Sequence, residues 1–388
     1  FIVIITAVPV EKPVVLEKEV IKEVPVEKIV EKVVEKEVVV TAIPEPELEP
    51  AKPPMPFEEA IACVKEYFPA ESYFTNEYLP DPKAEWVPLE CEKVDHLKVG
   101  MPWILNDEEA PWYNADKLGF FADMCLEVEL FPGGPGRNYI PLLGAGEVDI
   151  VVQAGGIEVP RARASRTPID VIAVATFLKD TPYCFLTVRE DLLDRKVTPL
   201  DVMDSIVATQ DVESNVYVPM LADRYGIPRQ KVKMIPGGFN PDAILAGEAD
   251  FFTGWIMNQP RWIEQAGFEW NRLMWKDWMP SGYSDVTIVR AEMLETEEGQ
   301  DLIRRYLAAT TKGIEYLLEN PEESADIAVV YAAEQEITYE NALRRFELQE
   351  ELIIGTDGLP IRRMKPDQWD EWTAILYQYG EIEIPACE

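Results

Sequence analysis

The strongest constraint on the fold is a unit written twice. Residues 131–150 read FPGGPGRNYIPLLGAGEVDI and residues 235–251 read IPGGFNPDAILAGEADF. Pro132, Gly133 and Gly134 answer Pro236, Gly237 and Gly238, while Ala145, Gly146, Glu147 and Asp149 answer Ala246, Gly247, Glu248 and Asp250. Each copy reads as strand, glycine loop, helix, glycine stop and strand. Such a unit used twice predicts two similar α/β lobes, with a cleft between them where a small molecule binds.

The surrounding pattern agrees. HLKVGMPW (96–103), LEVEL (126–130), VDIVVQ (148–153) and IDVIAVATF (169–177) read as strands, with helices in PWYNADKLG (111–119) and RNYIPLLGAG (137–146). A second series follows: FLTVRE (185–190), SIVATQ (205–210), a helix around VYVPMLADRYG (216–226), KVKMI (231–235), ADFFTGW (249–255) and DVTIVR (285–290). Strands spaced by helices of this length predict right-handed parallel crossovers. The last hundred residues read as helices, in EEGQDLIRRYLAATTKGIEYLLENP, NALRRFELQEELI and QWDEWTAILYQYG.

Ahead of this body lies a different composition. Val-Glu-Lys triplets recur at 10–12, 26–28, 30–32 and 34–36, and Pro9, Pro13 and Pro25 break any single helix there. From Val26 to Val38 the spacing suits one amphipathic helix or an extended strand. The arm is read as a solvated spacer, or as an assembly element that pairs with neighbouring copies. Residues 41–57 are a proline-rich linker, so 1–57 form arm and linker, and 58–92 an elaboration with one helix, EEAIACVKEYF. The apolar stretch Phe1–Val8 is too short to span a bilayer. With no methionine before it, the stretch is read as the remnant of a processed leader and a sign of export.

Charge and residue counts narrow the chemistry. A formal net charge of −35 opposes binding to nucleic acid or adsorption on anionic lipid. The single histidine, His96, argues against a Ser-His-Asp triad and a histidine-built metal site. Glycine loops without G-x-G-x-x-G or G-K-S/T exclude nucleotide-cofactor fingerprints. No metal, cofactor or catalytic residue is expected. Of five cysteines, Cys125 and Cys184 read as buried thiols, and a Cys63–Cys91 bridge closes the elaboration.

The motifs in order are Trp103, Lys117-Leu118-Gly119-Phe120-Phe121, Leu126-Glu127-Val128-Glu129, Gly133-Gly134-Pro135 and Gly146-Glu147-Val148-Asp149. Together with LAGEADFFTGWIMNQP (245–260), they resemble the NMT/THI-type (SsuA/THI-like) solute-binding proteins of ABC transporters over about residues 94–350. The resemblance implies a type II periplasmic-binding-protein fold: two α/β lobes joined by two crossing strands, FLTVRE and DVTIVR. It places lobe 1 at 93–187 and 286–388 and lobe 2 at 188–285. It also implies an extracytoplasmic protein, tethered to the membrane, that delivers a small-molecule solute to an ABC permease. Relatives of this kind bind thiamine pyrimidine precursors, flavins, sulfonates or nitrate, and Asn258-Gln259-Pro260 leans towards the first two. The fungal pyrimidine synthases share the resemblance but use a histidine and a cysteine-rich segment, which this chain does not match. The Val-Glu-Lys arm and the cysteines before residue 92 depart from the pattern.

Binding candidates follow from chemistry and position. A flat heteroaromatic solute needs aromatic faces and a few polar groups at its edge. Trp103 ends the first strand, where α/β sheets place ligands. Trp112 and Tyr113 open the next helix, and Gly133, Gly134 and Gly136 offer backbone N–H groups. Gln153 ends a strand at the cleft. Tyr183 precedes the first crossing strand, and Ser214, Asn215 and Tyr217 open a second-lobe helix. Trp255 and Asn258 end the repeated strand. The acids of the repeat, Glu147, Asp149, Glu248 and Asp250, read as capping and strand-start groups.

Overall fold

The computed structural model describes residues 55–134, 137–210 and 214–387, apart from the side chains of 215 and 216. The Val-Glu-Lys arm, most of its linker and Gly136 lie outside the described residues.

Helix α1 (Phe57–Tyr67) comes first, with Ala60 and Val64 buried one turn apart. Then follow β1 (Asp95–Gly100), α2 (Ala110–Lys117), α3 (Phe120–Asp123), β2 (Leu126–Phe131), α4 (Ile140–Gly144) and β3 (Ile150–Gly155). The chain continues through α5 (Glu158–Arg163), β4 (Val171–Leu178), β5 (Tyr183–Thr187), β6 (Ser205–Thr209), α6 (Ser214–Arg224) and β7 (Val232–Pro236). Next come α7 (Asp242–Leu245), β8 (Phe251–Trp255), α8 (Gln259–Gln265), β9 (Asn271–Met274) and β10 (Ser284–Arg290). Four helices close the chain: α9 (Glu297–Glu319), α10 (Pro321–Tyr331), α11 (Tyr339–Ile354) and α12 (Pro366–Gln378).

The strands make two five-stranded sheets, ordered β2-β1-β3-β10-β4 and β7-β6-β8-β5-β9. The two orders are the same topology. In each, three strands run parallel (β2, β1, β3 and β7, β6, β8), and one strand arriving from the other lobe inserts antiparallel. That strand is β10 in the first sheet and β5 in the second, which moves the expected lobe boundaries. The first half of FLTVRE lies in β5 and so in the second sheet, and the links between sheets are residues 179–182 and 275–283. β9 was not expected: four residues, NRLM, beside two tryptophans carry no alternating pattern.

The repeated unit has one physical explanation in both copies. Gly146 (φ 74°) and Gly247 (φ 72°) stop α4 and α7 in the left-handed region, which a side chain disfavours. The following Glu147 N–H donates to Leu142 O, and Glu248 N–H to Ala243 O, closing the same helix-end motif. Asp149 Oδ2 then accepts from Lys98 N at 2.9 Å, and Asp250 Oδ2 from Ile206 N at 2.8 Å. Each aspartate thus fixes the start of its strand against the neighbouring parallel strand. The acids of the repeat are scaffold.

The largest buried cluster runs from β1 and β3 through α9 into β8 and α8, so apolar packing is continuous between the lobes. On the opposite faces, α12 serves both sheets. Trp369 packs with Tyr73, Phe74 and Tyr283 of the first lobe, whereas Trp372, Ile375 and Leu376 join the core of the second. Residues 73–75 bridge to β4 at the edge of the first sheet, with Thr75 N–H donating to Ala173 O and Ala173 N–H to Tyr73 O.

The cysteine pairing differs from expectation. Cys63 bonds Cys387 and Cys91 bonds Cys125, with Cα–Cα distances of 5.8 and 5.4 Å; Cys184 is the buried thiol. α1 pairs with α12, which brings Cys63 to the C-terminus. Meanwhile Leu89 N–H donates to Asp123 O, laying Cys91 beside the α3–β2 turn that holds Cys125.

Candidate functional site

The loops past the C-terminal ends of the parallel strands face each other, as ligand-bearing loops do in open α/β sheets. Trp103 lies just past β1. Its carbonyl accepts from Gly133 N at 2.7 Å, and a Cβ on Gly133 would stand 2.4 Å from Met101 O, so only glycine allows the approach. The second Pro-Gly-Gly loop ends in Phe239. Its ring stacks on Trp103 at 5.9 Å between centroids and 20° between planes, and Trp262 of α8 meets Phe239 edge-on at 5.3 Å. The loop after β1, which packs on the first Pro-Gly-Gly turn, therefore meets the second Pro-Gly-Gly loop through one aromatic pair.

Behind that pair lies a polar floor. Gln259 Oε1 accepts from Trp255 N at 2.8 Å, and Gln259 Nε2 donates to Gln210 Oε1 at 2.8 Å. Tyr183 Oη donates to Ser214 Oγ, which bonds Thr253 Oγ1, each at 2.9 Å. Nearer the links, Tyr183, Tyr217, Trp255, Tyr283 and Trp372 line a void of about 20 Å³, room for one water. The cleft is shut.

A second feature of the cleft is electrostatic. A 3₁₀ turn, Asp107–Glu109, precedes α2; Asn106 Oδ1 accepts from Glu108 N at 2.7 Å, and Glu109 Oε2 accepts from Asn106 N at 2.8 Å. This capping box orients three consecutive buried acids. Asp107 pairs with Arg261 of α8 at 2.6 Å and with Arg345 of α11 at 2.8 Å, and Glu108 pairs with Arg345 at 3.1 Å. Asp285, at the start of β10, faces Glu108 and Glu109. Burial, then repulsion by these two glutamates, raises the Asp285 carboxyl well above the ordinary range, and burial with Glu108 does the same to Glu109. Burial lowers Arg261 to about 10.

These shifts set a pH dependence. Asp285 and Glu109 titrate near pH 4 in the unfolded chain and higher in the folded one, so the folded state binds more protons between those values. Their contribution is most favourable below the unfolded pKa and is lost as pH rises towards the folded one. Asp285→Asn should therefore stabilise the protein, by more at about pH 7 than at about pH 5. Urea midpoints of parent and variant at the two pH values test this; a difference constant with pH would refute it.

The other sequence candidates fall in distinct places. Trp112 is inside the first-lobe core, donating to Tyr306 Oη at 2.9 Å and meeting Phe177 edge-on, away from the cleft. Tyr113 is buried on the same helix, stacked on Tyr331, beside the acids. Gly134 follows Gly133 at φ 140°. Gln153 is half-buried on β3, opposite Val286. Tyr217 packs between Tyr183, Trp275 and Trp372. Trp255 reaches the cleft void, and Asn258 lies just before α8 with its Oδ1 buried and unbonded among the described residues. The Asn215 side chain lies outside them. Sequence reasoning missed Phe239, Gln210, Gln259, the 107–109 acids, Asp285, Arg261 and Arg345. The second Pro-Gly-Gly loop was a usable signal for Phe239, but the ion cluster joins residues up to 238 positions apart.

No helix among the described residues is long and apolar enough to cross a membrane, and none of their His, Cys, Asp and Glu groupings suits a metal ion. Two curated relatives align over most of the chain. The formylaminopyrimidine-binding protein of Halalkalibacterium halodurans is 22% identical over 76% of this chain and 88% of its own. The riboflavin-binding protein RibY of Chloroflexus aurantiacus is 23% identical over 72% and 78%. Among solved structures, the periplasmic aliphatic sulphonate binding protein SsuA of Escherichia coli superposes with a TM-score of 0.56 at 14% identity, over 74% of this chain and 87% of that one. The alkanesulfonate-binding protein SsuA of Xanthomonas axonopodis pv. citri gives 0.52 at 12%, over 76% and 96%. At such identities these two speak for the fold alone, a periplasmic-binding-protein fold matching the paired sheets described above. A family model described as NMT1/THI5 like matches residues 106–324, a span holding both copies of the repeat, and the chain belongs to that family.

Proposed function

We propose that this chain is the extracytoplasmic solute-binding subunit of an ABC importer, and that it takes a small heteroaromatic solute of the thiamine-pyrimidine or flavin kind between its lobes. The observation that carries the reading is the stack of Trp103 on Phe239, one ring from each lobe. On opening, the lobes part these rings, and a flat solute takes the place of one ring against the other. Gln210 and Gln259, with donors and acceptors on one edge of the cleft, serve the solute's ring heteroatoms. The names of the two curated relatives, one a pyrimidine binder and one a flavin binder, support the same class. A binding role without catalysis also suits His96, which sits exposed at the start of β1 beside Glu127, at the sheet end opposite the cleft.

A thermal-shift panel of thiamine pyrimidines, flavins and alkanesulfonates tests this, since a solute that binds only the folded protein raises its melting temperature with concentration. A flat panel would end the proposal. Trp103→Ala and Trp255→Ala should each weaken the bound solute by about tenfold or more. Trp270→Ala should leave affinity unchanged, because Trp270 donates to Glu264 on the outer surface of α8. Equal losses from all three would place the site elsewhere.

A further inference from the structure

The buried acids beside the cleft are not balanced by the chain itself. Asp107, Glu108, Glu109 and Asp285 bring four carboxyls against the two guanidiniums of Arg261 and Arg345, leaving two negative charges when all are ionised. Buried charge without a counter-charge is costly, so the cluster needs protons or a further cation. A second, independent observation points to a ligand. The Tyr113 hydroxyl, one turn beyond Glu109 on α2, is 2% exposed and unbonded among the described residues, and it lies near enough to Glu109 and Asp107 to feel both charges. Buried polar groups are normally bonded, so an idle hydroxyl against an idle carboxylate oxygen marks a place for a donor-rich group. Glu109 Oε1 is the idle acceptor beside that hydroxyl, while Glu108 and Asp285 share a hydrogen bond with each other.

The two arginines are held differently. Arg345 stands on α11, is 3% exposed and serves both Asp107 and Glu108. Arg261 arrives on α8 of the second lobe, reaches Asp107 through one nitrogen, and keeps Asn341 O at 2.9 Å as a second partner. Arg261 is thus the cation that the second lobe brings to the cluster, and Arg345 the one that α11 brings.

We infer that this acidic nest is the end of the cleft that selects the solute: it takes the ammonium or amidinium edge of a small cation, and Arg261 stands in for that cation when the lobes close without one. The inference rests on the cleft being the solute site. The cation is held by Asp107, Glu108 and Asp285, with Tyr113 as an added partner, and an alkanesulfonate is rejected because its anion would meet carboxylates. The groups facing Asp285 are Glu108 and Glu109 of the 3₁₀ turn and Arg345 of α11; those facing Glu109 are Glu108, Asp285, Tyr113 and Arg345. Burial and acidic neighbours raise the Asp285 and Glu109 carboxyls, so a bound cation, which favours their ionised forms, pulls both back down and releases protons.

The test is calorimetric titration of the whole chain with 4-amino-5-aminomethyl-2-methylpyrimidine, which carries an ammonium, and with its uncharged 5-hydroxymethyl analogue. The expected result is about tenfold or greater preference for the ammonium compound. Its affinity should rise from about pH 6 to about pH 7, and the heat should depend on the buffer's ionisation enthalpy as protons are released. In Asp285→Asn, whose side chain keeps its shape and loses its charge, the preference should fall about tenfold. Tyr113→Phe should lower the preference in the same direction. Equal affinity for both pyrimidines, or a preference untouched by Asp285→Asn, overturns the inference and leaves the solute-binding proposal standing. Failure of both pyrimidines, of riboflavin and of MOPS overturns the two together.

Discussion

An Arg345→Met chain should unfold about 3–5 kcal/mol more easily than the parent at neutral pH, the cost of leaving buried carboxylates without their cation. Arg345 holds Asp107 at 2.8 Å and Glu108 at 3.1 Å, and all three are sealed from water. Methionine fills much of the same volume, so the loss reports charge rather than a cavity. The adjacent Arg344 is the control. It makes two ion pairs, with Glu264 and Glu347, but is over a third exposed, so Arg344→Met should cost about 0–1 kcal/mol. The sign with pH is fixed as well. In the variant, Glu108, whose carboxyl burial already raises, loses its guanidinium and binds protons more tightly folded than unfolded, so the deficit should shrink as pH falls towards about 5. Adding Asp107→Asn should restore part of the loss. Urea unfolding of the four chains at two pH values measures all of this. Equal costs for Arg344 and Arg345, or a deficit that grows in acid, would mean that the cluster is better hydrated than its burial implies.

That cluster shows where sequence reading ends. The two lobes were legible because the residues that build them are local: a glycine in the left-handed region stops a short helix, and an aspartate three residues later ties its strand to the neighbour. The same local logic found Trp103 and Trp255 as strand-end residues. It failed where meaning depends on partners far along the chain. Asp107-Glu108-Glu109 reads as an ordinary acidic helix start, favoured by the helix dipole and solvated. Arg261 on α8, Arg345 on α11 and Asp285 on β10 turn it into a buried ion cluster. Trp112 reads as a candidate beside Trp103 because it opens the next helix, near free backbone donors. The helix turn between them sends Trp112 to Tyr306, inside the lobe. Cysteine pairing failed for the same reason, since nothing near Cys63 announces that α12 delivers Cys387 to it.

Removing that bridge, by Cys63→Ser with Cys387→Ser, should cost about 2–5 kcal/mol, because it closes a loop of 324 residues in the unfolded chain. The Cys91–Cys125 bridge spans 34 residues, so its removal should cost less. The two losses should also differ in place. Cys63–Cys387 fastens α1 to the end of the chain, and α12 lies under both lobes: Asp370 accepts from Ala70 N at 2.9 Å on one side, and Tyr379 Oη donates to Asp223 at 3.3 Å on the other. The same C-terminal region grips the link at 179–182. Lys179 N–H donates to Leu352 O at 2.7 Å, its carbonyl accepts from Gln368 Nε2 at 2.8 Å, and its ammonium pairs with Asp357 at 2.6 Å. Opening the cleft therefore strains a strap that runs from α11 through α12 to α1. In the bridge-free chain, amide exchange should quicken first in α1 and the end of α12, and solute should associate faster, since the lobes part against less resistance. Exchange mass spectrometry and stopped-flow binding check the two halves. Quickened exchange with an unchanged association rate would mean that α12 holds the lobes without help from α1, and that the bridge secures only the chain's ends.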